Sequence, residues 1–116
     1  LSITIHKALI PDTVLDGVSG ESPTVTTIPI PPGFRRLLSV GLQPGPLPSS
    51  PERAAVWYLV DALRGAREPR MLPLALVPTG ASCPDTLSDQ FAFLGTLLLQ
   101  RGRFVLHVFA DRLDVV

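Results

Sequence analysis

The segment Pro78-Thr79-Gly80-Ala81-Ser82-Cys83-Pro84-Asp85 sets hydroxyls, a thiol and a glycine between an apolar run and a stretch of helical periodicity. In α/β proteins, ligands commonly bind where the chain leaves a strand and enters a helix. Free backbone N–H groups and the helix dipole at such a point favour an anion, and Thr79, Gly80, Ser82 and Cys83 would supply the contacts. A thiol held there is acidified and becomes nucleophilic. The spacing is neither a Walker loop nor GxGxxG, and Asp85 would repel phosphate. The same residues therefore also fit a plain connection, with Ser82 or Asp85 capping a helix and Cys83 as a small apolar residue.

Two histidines, His6 and His107, fall in strand-like segments and would converge only if those strands were neighbours, with Cys83 or Asp111 alongside. A Cys83–His107 nucleophile pair is the sharpest enzymatic arrangement the residue types permit, but no spacing requires it. His-x-x-x-His and Cys-x-x-Cys are both absent, which argues against a structural zinc site. Asp111 and Asp114 follow the last apolar run and read as solvated strand-end carboxylates. Arg64, Arg67 and Arg70, and Arg101, Arg103 and Arg112, form two small basic groups interspersed with acids. Ten acidic and ten basic residues cancel, so no net field draws the chain to nucleic acid or an anionic membrane. These observations call for no metal or cofactor and favour a non-enzymatic reading.

The elements that must position these residues are read from periodicity. The 116 residues, 46% of them hydrophobic, suit one globular domain spanning 1–116. A strand-rich part (1–42) precedes a Pro/Gly connector (43–50, QPGPLPSS) and an αβαβ part (51–116). Ser2 to Ile10 alternates as a half-buried strand, 12–23 reads as a loop, and Thr24 to Ile30 is β-branched. Pro31-Pro32-Gly33 turns the chain toward a third strand at Arg36 to Leu42. Ser50-Pro51-Glu52 has the form of a helix start, with Gly65 as the stop and Val56, Leu59, Val60 and Leu63 as the core stripe. Met71 to Val77 reads as a strand covered on both faces. A second helix is expected from Ser82 or Asp85 to about Gln100, followed by a strand at Phe104 to Phe109 that Leu113 to Val116 would extend. The order β-β-β-α-β-α-β predicts a mixed α/β fold: a single sheet of about five strands with two helices, closing in a right-handed βαβ crossover.

The two expected helices carry more apolar surface than one sheet covers. At about 100° per residue, Phe93 and Leu97 lie off the face made by Leu87, Phe91, Leu94 and Leu98. Trp57 and Tyr58 likewise fall off the first stripe, among Arg53, Asp61 and Arg64. Apolar surface rimmed by charge is characteristic of interfaces, so Trp57, Tyr58, Phe93 and Leu97 are the expected anchors. The sequence thus points to a protein-interaction or assembly module, a domain of a larger protein or a subunit of a homo-oligomer. A domain binding a small anion, or an enzyme, on loop 78–85 is the alternative. The start at Leu1 rather than Met fits a domain cut from a longer chain. A lone cysteine and the lack of a signal-like or roughly 20-residue apolar segment favour a cytoplasmic setting, away from membranes.

Overall fold

Seven strands and three short helices follow one another in the computed structural model, which describes residues 3–18, 20–61 and 69–115. They are β1 (Ile3–Leu9), α1 (Asp12–Asp16), β2 (Thr24–Ile30), β3 (Phe34–Gln43), β4 (Arg53–Asp61) and β5 (Arg70–Pro78). After these come α2 (Asp85–Gln90), β6 (Phe91–Leu99), β7 (Phe104–Asp111) and α3 (Arg112–Val115). Sheet A has the order β1-β4-β3 and sheet B the order β2-β5-β7-β6, and every pairing is antiparallel. The fold is therefore mostly β. The expected single mixed sheet, its two long helices and its parallel crossover are all overturned, since among the described residues no helix reaches seven residues.

Both expected helices are strands for identifiable reasons. In β4, Ala54, Val56, Tyr58 and Val60 are buried at alternate positions, which is the strand period. The stripe at i, i+3 and i+4 coexists with this alternation because nearly every residue of AAVWYLV is apolar. Val56, Trp57, Tyr58 and Val60 are β-branched or aromatic and fit a pleated surface better than a helix. The expected cap is used elsewhere: Leu47 N–H donates to Ser50 Oγ at 3.3 Å, and Ser50 N–H donates to the Leu47 carbonyl at 2.9 Å, closing a turn inside the connector. The expected end of that helix at 62–65 lies outside the described residues.

The second expected helix breaks after Gln90, and the chain continues as β6. Its register with β7 slips between Phe93 and Gly95, a bulge at Leu94. Gly95 is required there, because a Cβ would stand 2.8 Å from Val40 Cγ1 on β3. Sheet A and sheet B approach along this seam, and the main core lies between them, built from Val56, Tyr58 and Val60 of β4 with Leu72, Leu74, Leu76, Leu97, Leu106 and Val108 of sheet B. At Gly33, where φ is +93°, the Pro-Pro-Gly segment turns the chain into β3 as read from the sequence, but it passes from sheet B to sheet A rather than staying in one sheet. β5 is covered on both faces, also as read, though Ala75 and Val77 are shielded by Leu87 of α2 rather than by a long crossover helix.

Candidate functional site

Just past β5, Thr79 N–H donates to the Val105 carbonyl at 3.2 Å and carries the pairing with β7 one step further. Thr79 Oγ1 lies 2.8 Å from His107 Nε2, and Thr96 Oγ1 lies 3.0 Å from His107 Nδ1. A neutral imidazole has one donor and one acceptor nitrogen, so one threonine hydroxyl donates to the ring and the other accepts from it. Phe93 stands beside this pair, 6.5 Å from the His107 ring and 5.6 Å from the Phe109 ring, in edge-on contact with the latter. Of the four loop residues expected to bind a ligand, only Thr79 joins this arrangement. Gly80 has φ +88° with open space around it. Ser82 and Cys83 are exposed, with the Cys83 thiol 3.9 Å from the Ala81 carbonyl. α2 begins at Asp85 and has six residues, and β5 runs antiparallel to β7, the strand expected to be its parallel partner across the crossover. The dipole and the topological switch that motivated an anion site are therefore not built.

The sharper arrangements of reactive groups do not form. Cys83 makes no hydrogen bond to His107, whose two nitrogens are taken by threonines. His6 lies on sheet A, 3.0 Å from Thr4 Oγ1, and His107 on sheet B, so the histidines do not converge. Two of the four expected anchors are core residues: Tyr58 is 1% exposed and Leu97 1%. Each points between the sheets, because a strand sends alternate side chains to opposite faces where a helical wheel spreads them around a cylinder. Trp57 and Phe93 do lie outside the core, but on the outer faces of different sheets.

The residues that sequence reasoning missed lie at the margins of the sandwich. β1 is an edge strand, exposed at every position from Ile3 to Lys7. Ile3, Ile5 and Leu9 are 45%, 64% and 39% exposed, and they share the outer face of sheet A with Trp57 and Leu59. The alternation of Ile3 and Ile5 with Thr4 and His6 marked the strand, but nothing in it distinguished an edge from an interior position.

Asp114, expected to be solvated, is fully buried on α3. Arg70 donates to its Oδ1 and stacks over the Phe34 ring at 5.2 Å, while Oδ2 has no hydrogen-bond partner among the described residues. Burial raises the Asp114 carboxyl above its ordinary value, and nearby Asp111 adds to the rise, against the lowering influence of Arg70. No local spacing signals this pair, since 44 residues separate its members. Arg64 and Arg67, grouped with Arg70 in the sequence, lie outside the described residues.

No helix among the described residues is long and apolar enough to cross a membrane. No curated protein and no solved structure matches the chain. The model of one domain family matches residues 21–115, from before β2 through α3, leaving out β1 and α1. With most of its length inside that match, the chain belongs to the DUF7352 family, described as a domain of unknown function.

Proposed function

We propose that this domain is a non-catalytic assembly module that associates with a second copy of itself through β1 and the outer face of sheet A. The observation that carries the reading is the strip Ile3, Ile5 and Leu9 along a strand edge that is unpaired among the described residues, continued inward by Trp57 and Leu59. An edge strand exposes a row of unpaired N–H and C=O groups that template the addition of another strand. Natural proteins blunt such edges with charge, proline or a bulge. β1 has only Lys7 as a charged residue, hydrogen-bonded to Gln43 Oε1 at 2.7 Å, and no proline. Antiparallel pairing of two β1 strands would join two copies of sheet A and bring their isoleucines together on one face. A two-fold pairing of this kind closes on itself and does not propagate into fibres.

Light scattering over a wide concentration range tests this. The wild-type chain is expected to reach the mass of a dimer as concentration rises, and Ile5→Lys is expected to stay monomeric with an unchanged melting temperature, because Ile5 is outside the core. A wild-type chain that remains monomeric throughout would overturn the proposal, as would an Ile5→Lys dimer.

A further inference from the structure

A second surface shares no residue with this strip. α1, the connector 44–52 and the β6–β7 turn enclose an open groove of about 1310 Å³. Leu15, Leu99 and Phe104 supply apolar surface within it, and its charges are segregated by element. Asp12 and Asp16 come from α1 and Glu52 from the connector, whereas Arg101 and Arg103 come from the turn. No ion pair joins the two sets among the described residues, although both line one groove. Two further features shape the groove. The connector is rich in proline and folded tightly enough that a Cβ on Gly45 would stand 2.3 Å from Ser50 Cβ. The turn holds Gln100 and Arg101 at φ +51° and +58°, the left-handed region that side-chain-bearing residues rarely occupy. A glycine at either position would relieve that backbone, yet an arginine that lines the groove occupies one of them.

We propose that this groove binds an extended peptide segment with a basic side chain and an acidic side chain flanking an apolar one. The groove volume exceeds the roughly 300–1,000 Å³ of typical small-molecule sites, which favours a chain segment over a metabolite. The basic side chain faces Asp12, Asp16 and Glu52, the acidic one faces Arg101 and Arg103, and the apolar one covers Leu15 and Phe104. Acidic residues in the groove disfavour nucleic acid as the occupant.

The test is amide chemical-shift titration of the full chain with three short capped peptides of equal length. One carries lysine, leucine and glutamate; the second has lysine at both charged positions; the third has glutamine at both. Saturating shifts at Leu15 and Phe104 are expected with the mixed-charge peptide, and weaker binding of the other two. Asp16→Lys and Arg101→Glu should each weaken binding by about two- to fivefold, the range of solvent-edge ion pairs. Arg101→Gly should also weaken it while holding or raising the melting temperature, which separates lost binding from lost folding. Equal affinity for all three peptides, insensitivity to the variants, or shifts confined to β1 would each overturn the proposal. Because Ile5 does not line the groove, loss of dimerisation in Ile5→Lys leaves the expected titration unchanged.

Discussion

Leu97 and Phe93 stand four residues apart on the same strand and have opposite environments. Leu97 is 1% exposed and packs between the sheets, whereas Phe93 is 56% exposed beside Phe109. Truncating a buried leucine removes its transfer free energy and leaves a cavity, so Leu97→Ala should destabilise the domain by about 2–5 kcal/mol. Phe93→Ser loses only a partly solvated edge contact and should fall within about 1 kcal/mol of wild type. Urea denaturation of both variants measures the difference, and similar midpoints would contradict the assigned faces. Residue type alone could not separate these two positions, because both are large, apolar and outside the helical stripe. The bulge at Leu94 decides the matter by shifting which side chains face the core. Thr79 was legible as a loop residue able to make polar contacts, but its partner His107, 28 residues away, depended on strand order.

At the scale of elements, the strands whose period was unambiguous were legible. Residues 3–9, 24–30, 70–78 and 104–111 are strands close to the expected limits, and the connector beyond Gln43 holds no strand or helix. The short helices α1, inside the expected loop 12–23, and α3, where a strand extension was expected, left no periodic signal, and the two expected long helices failed where apolar residues were too dense for period to discriminate. β4 and β6 carry apolar side chains on both faces, which satisfies a helical stripe and a strand alternation together. Gly95 was the available warning, since a mid-helix glycine is unfavourable and in a strand often marks a bulge or a close backbone approach. Its role makes a sharp prediction. In Gly95→Ala the new methyl group meets Val40 Cγ1 at 2.8 Å, and the variant should lose about 1–3 kcal/mol by overpacking. Val40→Ala makes room for that methyl group. The double variant should therefore be more stable than the sum of the two single losses, with a coupling of about 0.5–3 kcal/mol. Additivity in denaturation midpoints would mean that β3 and β6 do not meet at this seam.

At the scale of the whole molecule, the arrangement of two sheets depends on what ties their ends together. α3 packs against β3, β6 and β7, and its buried Asp114 reaches Arg70 at the start of β5, whose guanidinium covers Phe34 of β3. One carboxylate thus links both sheets, with its second oxygen left without a donor among the described residues. Pairing with Arg70 favours the charged form and burial opposes it, and burial is the larger influence. The folded chain therefore holds the Asp114 proton more tightly than the unfolded chain, where the carboxyl titrates near its ordinary value of 3.8. Stability linked to this proton is present in full below that value and is lost as pH rises through the raised folded value. Asp114→Asn keeps the shape and cannot ionise. Measured by chemical denaturation from about pH 4 to pH 7, the stability of Asp114→Asn relative to wild type should rise with pH. Subtracting wild type removes the titration of the other carboxylates, which the two chains share. A relative stability that falls over the same range would mean that Arg70 outweighs burial, and that the link between the sheets is strongest when Asp114 is charged.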